Sequence, residues 1–308
     1  MNALQPEAVA PVATGRTPAE TLRLYIDITR PKVMALVVFT GLPALWLGHA
    51  APPDFWTSVW VLAGTAMAGG ASSAFNAYIE RDRDAFMART RKRPLPAASV
   101  LPGAVFGYGV LLTVLSTVVL ALVGGSLAVA VSLGTIAFYV LGYTMWLKPR
   151  TPQNIVIGGA AGSTAPLIAS AAADGSISLG AWILAAIIFL WTPPHFWGVA
   201  IVRQKEYAAA GLPMMPLVVG DQATRWRSLG YTLVLLPVTL APWWLGDLSA
   251  YYAVGAGALG LWFLTLVVQS MIARDHEVDW RVFKTSIGYL SLLFLLMIVD
   301  LALPWGMT

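Results

Sequence analysis

Nine long apolar segments make up most of the chain, and charged residues stand almost entirely between them. A helix that crosses a bilayer needs about 20 mostly apolar residues, a length that these segments reach or approach. The pattern predicts an all-α membrane protein, a bundle of nine transmembrane helices. We expect these helices at about residues 33–50, 55–79, 103–123, 126–146, 154–173, 178–200, 228–246, 250–273 and 284–304.

The two ends of the chain differ from this apolar body. Residues 1–20 are rich in Pro and Ala, lack an apolar signal core and contain one Arg. They resemble neither a secretory signal nor an Arg-rich transit peptide, so we expect a disordered tail. Residues 21–308 are expected to form a single transmembrane domain, because nine helices leave room only for short loops.

The positive charges lie in every second connection. All 19 lysines and arginines fall in five stretches: Arg16 to Lys32, Arg81 to Arg93, Lys148 to Arg150, Arg203 to Arg227 and Arg274 to Lys284. Short loops rich in Lys and Arg stay on the cytoplasmic side of a membrane. We therefore place these stretches and the N-terminus in the cytoplasm, and the C-terminus outside. A bacterial inner membrane fits best, with a mitochondrial membrane as the alternative.

Composition excludes several other classes of protein. With 58% hydrophobic and 11% charged residues, the chain is far more apolar than a soluble domain. The net charge of +4 belongs to membrane loops, so we expect no nucleic-acid binding. The absence of cysteine excludes disulfides, thiolate zinc sites, iron–sulfur clusters and a thiolate nucleophile.

Oxygen-bearing side chains recur every fourth residue at the end of the second apolar segment. Asn76, Glu80 and Asp84 should share one face of a helix, in steps of about 6 Å. One ion cannot easily bind all three, so the row suits several hard cations or a metal-bridged polyanion. Mg²⁺ takes oxygen ligands jointly with phosphate, and Arg89 and Arg93 follow at once. The stretch predicts a diphosphate–Mg²⁺ site, with an ordinary charged loop as the alternative.

Two further polar clusters are expected at the same cytoplasmic level, because the predicted topology brings the fourth and sixth helices to an end there. Their members are Tyr143, Lys148, Arg150 and Asn154 in one cluster, and His195, Arg203 and Glu206 in the other. Pro193 and Pro194 are expected to break the sixth helix beside His195. An ionisable residue inside a membrane is a functional candidate. Gly158 and Gly162 form a GxxxG pair, which allows helices to approach closely.

These motifs resemble the UbiA superfamily of intramembrane prenyltransferases, and most closely its haem-acting branch, over about residues 22–300. The stretch NAYIERDRDAFMARTRKRPL from Asn76 is similar to that family's row of Asn and two Asp followed by Arg residues. Family-like sequences also begin at Ile28 (ITRPKV), Lys148 (KPRTPQNIVIGG), Trp191 (WTPPHFW) and Glu206 (EYAAAGLPMMP). Glu80 and Glu206 stand where Asp is usual, and the second carboxylate of the second motif is not evident.

The resemblance implies a role for each matching residue. It makes catalytic residues and metal ligands of Asn76, Glu80, Asp84 and Glu206, with Lys148 as a further catalytic residue. It assigns substrate binding to Lys32, Arg89, Arg93, Tyr143, Arg150, Asn154, His195 and Arg203. His195 is expected to ligate or orient a haem iron.

The resemblance also implies a reaction. A farnesyl group passes from farnesyl diphosphate to the vinyl group of protohaem IX (haem B) and water adds, giving haem O and diphosphate. Mg²⁺ is the expected cofactor, haem B is a substrate, and the lipid bilayer and a haem A synthase are the expected partners. The alternatives are a prenyltransferase acting on an aromatic quinone precursor or another tetrapyrrole, and, from a different class, a polytopic transporter.

Overall fold

The computed structural model describes residues 16–49 and 51–303, which form helices and connecting turns without a strand. Thirteen α-helices lie in this part of the chain: α1 Pro18–Ile28, α2 Pro31–Gly41, α3 Phe55–Asp84, α4 Pro102–Val123, α5 Gly125–Ala137, α6 Asn154–Gly162, α7 Ala165–Asp174, α8 Leu179–Val202, α9 Gln204–Ala209, α10 Met215–Val219, α11 Asp221–Trp244, α12 Ala250–Ala273 and α13 His276–Ala302. A short 3₁₀ turn follows α2, and a π-helical segment, Phe138–Leu147, continues α5.

A helix or a pair of helices lies at each of the nine predicted spans. Six helical segments are long and apolar enough to cross a membrane, and the bent pair of α1 and α2 raises this number to seven. Helices α3 and α11 are as long, at 30 and 24 residues, but they are richer in small and polar residues. The all-α architecture is confirmed, whereas nine crossings and a cytoplasmic N-terminus stay predictions.

The N-terminal helix begins slightly before the predicted end of the tail. Thr17 caps α1, and the side chains of Thr17 and Glu20 form a capping box that fixes the first turn at Pro18. Residues 1–15 of the predicted tail lie outside the described residues. Between α1 and α2 the axis bends by 56°, because Arg30 adopts a left-handed backbone (φ 56°) and Pro31 begins a new helix.

The predicted break at Pro193–Pro194 is wrong, because α8 runs unbroken from Leu179 to Val202. Proline removes a backbone donor, and buried helices tolerate this where neighbouring helices and side-chain hydroxyls hold the backbone. Helix α8 packs against α6, α11 and α13, and the hydroxyl of Thr192 donates to the carbonyl of Ile188 (2.8 Å). Packing therefore keeps this segment straight enough to remain helical.

The predicted fifth span is the one that is divided. Helix α6 ends at Gly162 and α7 begins at Ala165, with Pro166 in its first turn. The hydroxyls of Ser163 and Thr164 donate to the carbonyls of Ala160 and Ala161 (2.8 and 2.9 Å). These bonds satisfy carbonyls that the interrupted helix leaves open.

Two groups of helices make up the bundle. Helices α8, α11, α12 and α13 pack against one another, while α3 packs against α2, α4, α5 and α7. A buried ion pair holds the first group together, since Arg225 of α11 binds both carboxylate oxygens of Asp279 of α13, and Ser270 of α12 donates to the same carboxylate. The acidic row lies at the C-terminal end of α3, in the second group, and the π-helical segment Phe138–Leu147 also packs against α3.

Candidate active site

Each member of the oxygen-bearing row on α3 binds a cation that comes from a different part of the chain. Arg30 Nη2 lies 2.6 Å from Asn76 Oδ1, and Arg93 Nη1 lies 2.9 Å from Asp84 Oδ2. The Lys148 ammonium lies 2.5 and 2.6 Å from the two carboxylate oxygens of Glu80. The three row residues are at most 2% exposed. The structure therefore has three successive pairs along α3, each of a row oxygen and a cation, and we call them the α3 ladder.

Local structure explains how each cation reaches the ladder. Arg30 is the residue before the helix-starting Pro31, and its left-handed backbone turns the chain there. Lys148 follows directly on the π-helical segment, a type of helix that is frequent at functional sites. Arg93 lies in a turn-rich loop that is fixed to α3, because the hydroxyl of Thr90 donates to the carbonyl of Asp84 (2.7 Å).

Positive charge is crowded around Arg93. Burial lowers the pKa of its guanidinium, Arg30 and Arg89 lower it further, and Asp84 opposes the shift. A guanidinium stays protonated in proteins in spite of such shifts, so the three arginines repel one another. A polyanion bound among them would remove this repulsion, which is the electrostatic property expected of a diphosphate site.

A second polar cluster lies beside the ladder, around Tyr207 of α9. Burial raises the pKa of the Tyr207 phenol, with Arg89 and Arg203 acting against this shift and Glu206 and Glu80 adding to it. Tyr207 also belongs to one buried cluster with Met87, which follows the acidic row of α3, so the two motifs pack together. Arg203 Nη1 binds Glu206 Oε1 at 2.7 Å. The two family-like motifs meet at one end of the bundle, as the predicted topology requires.

The described residues contain no group of three or more acidic or histidine side chains that could hold one metal ion. The predicted metal ligands therefore do not form a ready-made cage: Asn76, Glu80, Asp84 and Glu206 are each paired with a cation. This agrees with the spacing argument, in which one ion cannot bind the whole row. Their role as metal ligands stays a prediction.

Three predicted substrate-binding residues form no side-chain pair with the ladder, and two of them donate to backbone carbonyls instead. Lys32 is exposed, and no hydrogen bond or ion pair joins it to the other described residues. Arg150 is exposed and donates to the carbonyls of Met145 and Trp146 (3.0 and 3.1 Å). Asn154 is fully buried and donates to the carbonyl of Thr151 (2.7 Å), while its Oδ1 has no partner. Neither Lys32 nor Arg150 pairs with a side chain of the ladder, and their role in substrate binding stays a prediction.

Two cavities adjoin the ladder. A small pocket of about 30 Å³ has Asp84, Arg93 and Arg30 among its lining residues, and we call it the polar pocket after these charged side chains. An apolar cavity of about 140 Å³ extends into the bundle between α2, α3, α6 and α7. Arg30 lines both, so it marks the boundary between a charged compartment and an apolar one.

Sequence reasoning missed three residues of this region. Arg30 lies in the ITRPKV motif two residues before Lys32, and its position before the helix-starting Pro31 marks it as the residue where the chain turns. Tyr139 lines the apolar cavity. Thr144 accepts from the Asn76 amide (3.2 Å) and donates to the carbonyl of Tyr139 (2.9 Å). The last two depend on a π-helical segment, for which the apolar sequence gives no signal.

The GxxxG pair has unequal roles, which gives a first testable prediction. A Cβ on Gly158 would lie 2.2 Å from the ring of Tyr143, whereas a Cβ on Gly162 would meet nothing within 4 Å. Lys148 lies over the same ring, 5.8 Å from its centre. Gly158→Ala is therefore expected to displace Tyr143 and to lower the activity of the site by about tenfold or more, since a small misplacement at a reacting site is costly.

The matched control is Gly107→Ala, the same chemical change at an exposed position of α4 that lines neither cavity and where a Cβ would meet nothing within 4 Å. It is expected to leave activity near the wild-type value. Activity and thermal stability of both variants in detergent check this. Equal activities for the two variants would contradict the role assigned to Gly158.

His195 lies between two aromatic rings and is held from a third side. Its ring stacks on Trp191 and Phe283, with centroids 4.2 and 4.9 Å away. Its Nδ1 lies 2.7 Å from the hydroxyl oxygen of Ser286, and that hydroxyl donates to the carbonyl of Phe283 (2.7 Å). A hydroxyl has one hydrogen, so Nδ1 of His195 carries a proton and donates it. The neutral imidazole then has its lone pair on Nε2.

Comparisons with known proteins show the family and the fold of the chain. Residues 37–298 match the model of the UbiA prenyltransferase family. A protoheme IX farnesyltransferase from Azorhizobium caulinodans is 44% identical, over 93% of this chain and 94% of its own. One from Chloroflexus aurantiacus is 41% identical over 90% of this chain. This chain covers 47% of that relative, or about half its length.

Solved structures share the fold at low sequence identity. A UbiA homolog from Aeropyrum pernix K1 has a TM-score of 0.71 at 18% identity, covering 88% of this chain and 98% of its own. A UbiA homolog from Archaeoglobus fulgidus, bound to GPP and Mg²⁺, has a TM-score of 0.60 at 14% identity, covering 89% and 99%. Family, relatives and fold agree over most of the described helices, so the chain is a multi-pass membrane protein that belongs to the UbiA prenyltransferase family.

Proposed function

We propose that the chain transfers a farnesyl group from farnesyl diphosphate to the vinyl group of protohaem IX, with addition of water, to give haem O and diphosphate. The α3 ladder carries the proposal, because it places buried oxygen donors and cations between a polar pocket and an apolar cavity. The relatives named protoheme IX farnesyltransferase support this acceptor over a quinone precursor. Membership of a prenyltransferase family argues against the transporter.

The charged end of the donor binds at the ladder. The diphosphate takes Arg30, Arg93 and Lys148 as partners, and Arg89 and Arg203 close the site from the second polar cluster. Each cation is now bound to a row residue, so binding requires an exchange of partners. Cations move onto phosphate oxygens, and the row oxygens become free to bind a metal ion.

The donor set of the row fits Mg²⁺. Asn76, Glu80 and Asp84 offer hard oxygen ligands on one buried face, with Glu206 as the ligand on the second motif. A UbiA homolog of the same fold binds Mg²⁺ with a prenyl diphosphate. When bound, the ion stabilises the negative charge that develops on the leaving diphosphate. Lys148 and the arginines act in the same direction from fixed positions.

The remaining polar residues complete the rim of the site. The ammonium of Lys148 lies over the ring of Tyr143, 5.8 Å from its centre. The amide of Asn154 donates to the carbonyls of Lys148 and Thr151 and so fixes the turn that follows Lys148. Lys32 and Arg150, whose side chains are exposed, stay proposed substrate-binding residues. We assign the rim to the cytoplasmic side of a bacterial inner membrane, from the positive charge of its loops. A haem A synthase that takes up the product is an expectation from the resemblance.

The acceptor haem is assigned to the region of His195. An imidazole with a free Nε2 is a common axial ligand of haem iron, and the rings of Trp191 and Phe283 hold it in one orientation. Arg203 lies over the ring of Trp280, 5.5 Å from its centre, where a cation suits a haem propionate. The bundle excludes bulk water from the allylic cation until the vinyl group attacks it.

This assignment gives a second prediction. His195→Ala is expected to weaken haem binding, measured as a shift of the haem absorption band on titration, and to leave binding of farnesyl diphosphate unchanged. Ser286→Ala is expected to weaken haem binding by about 10- to 100-fold, because outer partners of a metal ligand contribute this much. Haem titrations that match wild type in both variants would remove His195 from the site.

The reaction itself is tested with purified protein, haem B, farnesyl diphosphate and Mg²⁺. Mass spectrometry is expected to show a haem that has gained a hydroxyl and a farnesyl group. Product with a quinone precursor but not with haem would favour the alternative acceptor. No product with either acceptor would contradict the proposed function.

A further inference from the structure

The apolar cavity has a defined depth, and its length bears on which donor the site accepts. We propose that the cavity measures the isoprenoid chain and that Ala68, Thr65 and Ile168 limit the donor to three isoprene units. The inference rests on the proposed function in one respect, namely that the diphosphate of the prenyl donor binds at the α3 ladder. It adds a determinant of chain length, which the sequence motifs do not provide.

The upper end of the cavity is fixed by Arg30. This side chain binds Asn76 and lines both the polar pocket and the apolar cavity. A donor with its diphosphate among the ladder cations therefore passes from charged head to apolar tail at the level of Arg30 and Asn76. Tyr139 lines the cavity at the same end.

Helix α3 provides a scale along the cavity. The residues of α3 that line it are Ser73, Ser72, Gly69, Ala68 and Thr65, so the lining continues for eleven residues below Asn76. A helix rises about 1.5 Å per residue, which places Thr65 about 16 Å from the boundary. Ala68 lies about 12 Å from it by the same measure.

The residues that line the cavity end at Thr65 on α3 and at Ile168 on α7, and beyond them the helices are in van der Waals contact. A Cβ on Gly41 of α2 would lie 3.4 Å from the carbonyl oxygen of Ala165 and 3.6 Å from Leu62, so α2, α3 and α7 meet there. Thr65 and Ile168 are 3% and 2% exposed at this floor. The hydroxyl of Thr65 donates to the carbonyl of Val61 (2.9 Å). The Thr65 hydroxyl is therefore already bonded within α3, and the end of the cavity is apolar towards the isoprenoid chain.

The depth matches one chain length. An isoprene unit adds four main-chain bonds, each advancing an extended chain by roughly 1.2 Å, so three units extend about 15 Å and four about 20 Å. Three units end at Thr65 and Ile168, and a fourth would collide with the floor. Two units would end above Ala68 and leave apolar space unfilled, which costs dispersion contacts.

Ala68→Leu and Ile168→Ala test the two sides of this match. Leucine at position 68 should fill the space of the third unit, and the preference for farnesyl over geranyl diphosphate is expected to fall by about tenfold or more, since one methylene group in a pocket changes selectivity by 10- to 200-fold. Ile168→Ala should deepen the floor and raise the relative affinity for geranylgeranyl diphosphate by about the same factor.

A matched control lies on the same helix. Ala66 faces a separate groove, which Met67, Gly70 and Leu112 also line, so Ala66→Leu makes the same change outside the cavity. Its chain-length preference is expected to equal that of wild type. If the tail instead occupies that groove, Ala66→Leu will change the preference and Ala68→Leu will not, and the inference is wrong.

Binding and turnover are measured separately for geranyl, farnesyl and geranylgeranyl diphosphate, in Mg²⁺ and in lipid nanodiscs. Binding measured by calorimetry tests the inference without an acceptor. Shifted affinities in Ala68→Leu and Ile168→Ala without haem product would support the chain-length determinant and contradict the proposed acceptor. Haem product with the same chain-length order in wild type and both variants would support the proposed function and overturn the inference.

Discussion

Asp84→Asn is expected to abolish product formation while the protein stays folded in the membrane. The change keeps the shape of the side chain but removes the charge that binds Arg93 and that is proposed to bind Mg²⁺. Removing one preorganised electrostatic group costs about 10²- to 10³-fold in rate, and here the loss affects metal and diphosphate together. Arg93 is 30% exposed, so water can solvate it and the fold should survive.

Asp82→Asn is the matched control for this prediction. Asp82 lies two residues before Asp84, is 82% exposed, and meets only Arg81 at 3.7 Å. An exposed pair of this kind contributes little to stability, and the residue lies off the ladder face. Product formation near the wild-type rate is expected. If both variants lose activity equally, net charge rather than the ladder controls the reaction.

Lys148→Met is expected to reduce both stability and activity, the second large effect. Glu80 is 2% exposed and its two oxygens contact Lys148, so the variant leaves a buried carboxylate with its nearest cation removed. Removing one partner of a buried ion pair costs about 3–5 kcal/mol. The unfolding midpoint in detergent should fall, and product formation should drop by at least about 10²-fold.

A double variant separates the structural role of Lys148 from its catalytic role. Glu80→Gln with Lys148→Met removes both charges, so stability should return towards the wild-type value, because no unpaired charge remains. Activity should stay low, since both groups are proposed to act on the diphosphate. Lys205→Met, at an exposed position of α9, controls for loss of one cytoplasmic charge. Recovery of activity in the double variant would restrict the pair to a structural role.

The sequence predicts the helical class, the positions of the spans and the meeting of two distant motifs. Apolar length and alternation of charge depend on local composition, so they can be obtained without coordinates. The i, i+4, i+8 spacing of Asn76, Glu80 and Asp84 predicts a shared face because α3 continues to Asp84. The comparisons confirm the family and the fold.

Other features depend on tertiary packing and could not be obtained in this way. Proline propensity predicts a break at Pro193, but contacts of α8 with three neighbours outweigh it. The π-helical segment that positions Thr144 has no sequence signature. The contact of Arg30 with Asn76 depends on the left-handed backbone at residue 30, which the ITRPKV motif does not predict.

The central claim is that the three cations of the α3 ladder leave their row partners to bind a prenyl diphosphate. An experimental structure with Mg²⁺ and farnesyl thiodiphosphate, a slowly reacting donor analogue, tests this most directly. We predict Lys148, Arg93 and Arg30 on phosphate oxygens, Mg²⁺ between the phosphates and the α3 oxygens, and the tail in the apolar cavity. A diphosphate bound elsewhere, with all three ladder pairs intact, would contradict the account.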